Sequence, residues 1–191
     1  MDIKHIIIIE LIILALMIVI KAIILRLKGI KTIRTGRPDK NVLTLLIVIV
    51  CFVYASLSGV LNLPFPAFFN KPFWDSMIID VIAILLCAVS LIWFGFTLIV
   101  FGNSFRIGID ETTTNQLITD GTFALSRNPV FITFIAFSIG FWLAFSTMVN
   151  LVFLVLLILM VHRQILKEET FLKKRYGKEY EDYCKKVRRY I

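Results

Sequence analysis

Two polar blocks hold the side chains whose types and spacing can do chemistry. The first is residues 117–131, LITDGTFALSRNPVF. Its Asp120 Gly121 pair signals a turn, because glycine tolerates positive φ and aspartate hydrogen-bonds its own downstream backbone. Its Arg127 Asn128 Pro129 signals a helix start: Asn is a good N-cap, and Pro suits the first turn, where its missing N–H costs nothing. Such a start presents free N–H groups and a partial positive charge, which suit a carboxylate or phosphate. The same residues serve equally as a plain cap on a membrane helix. The second block, 168–183, opens with Glu168 Glu169. An acidic pair at the C-terminal end of an apolar helix opposes the helix dipole, which favours cations there. The pair therefore calls for a partner: Arg127 or Arg163 within the chain, or a cationic ligand group such as an amine or a sulfonium. His162 is the other titratable neighbour, and a lone His near a helix end reads first as an interfacial structural residue. Cys51 and Cys87 lie in apolar runs and Cys184 in the polar tail, with no CxxC or Cys/His ligand spacing. Neither a disulfide framework nor a metal site is indicated.

The rest of the chain reads as scaffold for these blocks. Hydrophobic residues make up 59% of the 191 residues and charged ones 18%, with a mean hydropathy of +0.88. That is too apolar for an ordinary soluble domain, whose apolar share is nearer half. The chain is expected to be an all-α integral membrane protein. Its net charge of +8 does not point to nucleic acid, because the basic residues sit beside apolar spans, where they set topology and meet anionic membrane lipids.

Five spans are expected. The first covers residues 6–25, too long an apolar core for a signal peptide and without a small-residue cleavage site. A basic loop with Lys28, Lys31, Arg34, Arg37 and Lys40 follows, which by the positive-inside tendency is cytoplasmic and leaves the N-terminus outside. The second span, 42–63, ends at Pro64 and Pro66. Phe65, Phe68, Phe69, Phe73 and Trp74 read as an interfacial aromatic belt. Asp75 or Ser76 can cap the third span, 77–101, and Asp80 reads as a hydrated residue of its first turn. Residues 129–166 are apolar throughout, about 55 Å as one helix at 1.5 Å per residue, too long for a hydrocarbon core of about 30 Å. A break at 145–150, where Ser146, Thr147 and Asn150 cluster, turns this run into a hairpin of two shortish arms. The tail, 167–189, has mostly helical spacing interrupted by Gly177. It can lie on the membrane or pack on the first block. The chain thus divides into a two-span anchor, 1–75, and a core, 76–191.

The order Phe101 Gly102, Phe105 Arg106 Ile107 Gly108, Leu117 to Phe123, Ser126 to Phe131, then a hairpin, Glu168 Glu169, Phe171 Leu172, Tyr176 Gly177, Tyr180 and Tyr183 resembles the isoprenylcysteine carboxyl methyltransferase family. The related phospholipid N-methyltransferases share the second half of this pattern. The resemblance runs roughly from residue 80 onward, and the first two spans match only as generic membrane helices. It implies that S-adenosylmethionine is bound on the cytoplasmic side by Asn115, Gln116, Leu117, Ile118, Phe123, Asn128, Pro129, Val130, Phe131 and Glu168. The backbones of Leu117 and Ile118 would hold the adenine edge, Phe123 and Phe131 would pack on ring or ribose, and Glu168 would balance the cationic end. The implied partner is a lipophilic small molecule, a prenylcysteine-type carboxylate or a lipid headgroup, entering between the third span and the hairpin.

The chain departs from this pattern in two ways. Asn128 and Phe131 stand where His and Tyr are commoner, which keeps a polar cap and an aromatic. Carboxyl methyltransferases place an Arg one helical turn before the first Glu, and here that position is Gln164. Arg163 is adjacent but points about 100° away on an ideal helix. Either the helix end is distorted so that Arg163 serves, or the acceptor is another lipid. Glu168, Arg163 and Gln164 are accordingly the candidate catalytic residues. Two alternatives stand beside this reading: membrane sterol reductases, which resemble the same region and bind NADPH, and a non-catalytic membrane adaptor.

Overall fold

The computed structural model describes residues 3–30, 40–102 and 117–191. Among these, six helices account for the architecture: α1 Ile3–Leu27, α2 Lys40–Ser58, α3 Met77–Phe101, α4 Pro129–Ala144, α5 Met148–Tyr176 and α6 Lys178–Lys186. Helices α1, α3 and α5 are long and apolar enough to cross a membrane, while α2 and α4 are shorter apolar helices. The chain is an all-α integral membrane protein, with lipid-facing Ile, Leu and Val side chains exposed along α1, α3 and α5.

The packing order follows from small residues and aromatic knobs. Helix α1 lies parallel to α3: Lys21 Nζ donates to Leu98 O at 2.8 Å, and the Met17 side chain covers Gly95. Helix α3 runs antiparallel to α4 in the tightest seam of the molecule. Gly140 there faces Cys87 and Ala83, and a Cβ on it would meet Cys87 Sγ at 2.7 Å and Ala83 O at 3.0 Å. Phe94 packs on Phe134 at 5.8 Å, and Trp93 Nε1 donates to Pro129 O at 3.1 Å. Helix α5 returns beside α4 and packs on α2.

The boundaries match expectation where breakers are local. Helix α3 covers the expected residues 77–101, and α4 begins at Pro129. Helix α2 stops at Ser58 rather than at residue 63, because the chain winds through a turn in which Leu63 N bonds back to Ser58 O at 2.9 Å and Asn62 takes a positive φ of 51°. The hairpin arms are unequal, 16 and 29 residues. No breaker interrupts α5 until Gly177, whose φ of 53° ends it. The residues between, rich in Lys, Glu, Gln, Leu and Arg, are strong helix formers. At 1.5 Å per residue, residues 148–167 of α5 already cover a core of about 30 Å. Residues 168–176 therefore stand beyond the membrane-spanning part.

At the hairpin turn, segment 72–74 docks on the break between α4 and α5. Pro72 bridges to Thr147, Phe73 N donates to Ser146 O at 2.7 Å, and Trp74 Nε1 donates to Leu143 O at 2.9 Å. Trp74 is therefore a docking residue more than a belt residue. Ser76 occupies the N-cap of α3 without a side-chain bond, whereas Thr147 caps α5 by accepting from Asn150 N at 3.2 Å.

Candidate active site

The opposite end of the hairpin gathers the polar blocks. Segment 117–128 enters it through a 3-10 turn, Gly121–Ala124. Gly121 has φ 58°, and a Cβ on it would meet Val100 Cγ2 at 2.5 Å, so both conformation and space demand glycine here. Asp120 does not bond its downstream backbone as expected; its carboxylate accepts from Thr119 N at 3.3 Å. Phe123 is buried edge-on against Phe101, centroids 5.1 Å apart. Its carbonyl accepts from Tyr183 Oη at 2.6 Å. Burial pushes the Tyr183 phenol up to about 12, so this donor keeps its proton at any ordinary pH. Tail helix α6 thus packs on the first block, the second of the two expectations for it.

Asn128 sits at the N-cap position of α4, but its side chain makes no capping bond. It is turned across the hairpin, where Nδ2 donates to Glu169 Oε1 at 3.3 Å and to Arg189 O at 3.1 Å. Glu169 is the hub of the site. Arg127 approaches its Oε1 at 3.5 Å, and Arg189 binds its Oε2 through a terminal guanidinium nitrogen at 2.8 Å and through Nε at 3.0 Å. Of the two partners the sequence allowed for the acidic pair, Arg127 is the one found, and it meets the second Glu. The Arg127 guanidinium also reaches Cys184 Sγ at 2.6 Å, while its Nε is buried without a partner among the described residues.

Glu168 has a different setting. Gln164, 6% exposed, donates from Nε2 to Glu168 Oε1 at 3.1 Å. The other end of that carboxamide, Gln164 Oε1, is buried without a partner among the described residues. Burial raises the Glu168 carboxyl from 4.5 to about 7, against the smaller opposing effect of the Gln164 hydrogen bond. Arg163 is exposed on a regular helix, so the structure does not bring it to this pair, and the distorted-helix option for it fails. His162 is not alone: Tyr190 Oη lies 2.6 Å from its Nδ1.

The structure therefore brings together Asn128 with Glu169, and Gln164 with Glu168. Pro129 is buried, while Leu117, Ile118, Val130 and Phe131 are half-buried near the start of α4 and its entry loop. Asn115 and Gln116 lie outside the described residues. Glu169, Arg189 and Tyr190 were missed from the sequence. For Glu169 a signal existed. The buried stripe of α5 runs Asn150, Leu154, Leu157, Val161, Gln164, Ile165, Glu169, and one further helical turn from Ile165 lands on Glu169. Arg189 and Tyr190 had no periodic signal. Among the described residues no group of His, Cys, Asp or Glu can hold a metal ion.

The open end of the hairpin thus sets a buried carboxylate hub between the start of α4 and the polar end of α5 in an all-α membrane protein. The phospholipid methyltransferase family matches residues 74–179, more than half of the chain, and covers α3, the hairpin and the start of α6. The chain belongs to the phospholipid methyltransferase family and is a membrane methyltransferase. Comparison with curated proteins found no match.

Proposed function

We propose that this protein transfers a methyl group from S-adenosylmethionine to the amine of a lipophilic acceptor, a lipid headgroup, at the cytoplasmic face of the membrane. Family membership favours methyl transfer over the reductase and adaptor alternatives. The residues fit the cofactor. Ser126, Asn128 and the Arg127 backbone N–H form a cluster of donors suited to its carboxylate, and Glu169 suits its cationic groups. Leu117, Ile118, Val130 and Phe131 are the half-buried apolar neighbours for its base and ribose.

The observation that carries the acceptor class is the Gln164–Glu168 pair. Where a carboxylate acceptor would need a cation, the chain places a carboxamide that donates to Glu168 and whose carbonyl has no partner among the described residues. That pair brings no positive charge to a carboxylate acceptor, while its carboxyl group and free carbonyl suit an N–H donor. The bound cofactor supplies an electrophilic methyl on a sulfonium. An amine attacks only once it has lost a proton, and the Glu168 carboxylate, titrating near pH 7, is suited to take it. The N–C bond then forms as the S–C bond breaks, and the pair of electrons leaves with the thioether. Helices α1 and α2 serve as anchor, and the basic loop after α1 sets the orientation.

The test is a transfer assay with labelled S-adenosylmethionine, using vesicles that contain phosphatidylethanolamine and, separately, a prenylcysteine analogue. Label in the amine lipid is expected. Label only in a prenylcysteine ester overturns the acceptor assignment, and absence of cofactor binding by calorimetry overturns the cofactor.

A further inference from the structure

We propose that the strap of residues 187–191, which follows α6, is an internal competitor for the cofactor cleft and has to leave before the cofactor's amino-acid end can bind. This inference rests on the cofactor reading above. The strap leaves α6 at Val187 in an extended conformation and lays its backbone across the start of α4. Arg127 N donates to Arg188 O at 3.0 Å. Ser126 Oγ and Asn128 Nδ2 donate to Arg189 O at 3.2 and 3.1 Å. The Arg189 guanidinium covers Glu169. Carbonyl oxygens thus sit on the donors suited to a carboxylate, and a cation sits on the carboxylate suited to an ammonium or sulfonium. The strap presents the same charge pattern as an amino acid.

The hold is of a kind that can be exchanged. Arg189 is 36% exposed at its side chain against 11% for Glu169, so one side of the ion pair is open to water and screened by salt. Tyr190 fixes the far end, its ring nearly parallel to His162 at 6.2 Å. A ligand that binds only the open form has its dissociation constant raised by the inverse of the open fraction, so a strap closed nine-tenths of the time weakens binding about tenfold.

The experiment combines hydrogen exchange at the Arg127 amide with calorimetric titration of S-adenosylmethionine, on the full chain in detergent. Arg189→Gln and Tyr190→Phe are compared with the unaltered protein. The strap proposal expects Arg189→Gln to speed exchange at the Arg127 amide in the absence of cofactor, because that amide is held by Arg188 O. It also expects Arg189→Gln to tighten cofactor binding by up to about tenfold, and Tyr190→Phe to act in the same direction by less. An unchanged Arg127 exchange rate in Arg189→Gln, or weaker cofactor binding in that variant, makes the strap a fixed wall and overturns the proposal. No binding by the unaltered protein or by either variant overturns the cofactor reading, and the strap's role falls with it.

Discussion

The two ends of the α4–α5 hairpin are closed by the same device in opposite chemistry. At the turn, segment 72–74 crosses the break and is held by neutral groups, backbone to Ser146 and indole to Leu143, while Asn150 Nδ2 donates to Phe145 O at 2.7 Å within the break itself. Trp74 and Trp142 pack edge-on at 5.2 Å. At the open end, segment 187–191 crosses the start of α4 and is held by three hydrogen bonds to its carbonyls and by one ion pair, Arg189 with Glu169. Opening this neutral clasp leaves the carbonyls of buried Ser146 and half-buried Leu143 without that partner, which favours a lasting hold. Charges near water can be exchanged for another ligand's charges at little net cost. The difference separates the turn from the end at which the cofactor is proposed to bind.

The comparison can be broken most forcefully at Glu169. Glu169→Ala strands Arg127 and is expected to cost about 3 kcal/mol of stability. Unfolding in detergent checks this, and methyl transfer should vanish in the fraction that stays folded. Asn150→Leu attacks the neutral clasp by removing one of the two bonds to Phe145 O, which keeps Thr147 N at 2.9 Å, and should cost about 1.5 kcal/mol. Activity per folded molecule should stay unchanged there, and a loss of activity would show that the two ends are not separate.

Glu168→Gln gives a signed pH effect. The folded carboxyl titrates near 7 rather than at 4.5, so between these values the unfolded chain releases a proton that the folded chain keeps. Stability of the native protein therefore falls as pH rises from 4.5 to 7. Melting curves should show Glu168→Gln gaining on the native protein across that window and holding a constant advantage above it. Its transfer rate should also lose the rise that the native enzyme shows as pH passes 7. Trp74→Phe, the mildest change, removes one hydrogen bond and should cost about 1 kcal/mol in the same melting assay, with no change in cofactor affinity.

Local signals were fully legible. Pro129 marks the start of α4, Thr147 starts α5, and Gly177 stops it, each through backbone constraints that act within one turn. The apolar run of 129–166 exceeded a membrane's thickness, so a hairpin was required whatever else the chain did. The end of α2 was less legible, because Asn62 at positive φ and the Leu63–Ser58 bond belong to a turn that its sequence does not announce. At the site, the sequence named both polar blocks and Asn128, and it identified Gln164 as the departure that bears on the substrate.

What the sequence by itself determined is the class: length, hydropathy and breakers dictate membrane helices and a hairpin, since burial of apolar surface and backbone sterics act on every residue alike. Only the tertiary structure decided which Glu is the hub. Residues 168 and 169 differ by about 100° around the helix: Glu168 pairs with Gln164 one turn back on α5 itself, whereas Glu169 faces Arg127, Asn128 and Arg189 from other elements. The strap was likewise decided there. An extended segment of five residues carries no periodicity, and its pairing with residues about sixty positions away depends on where α6 places it.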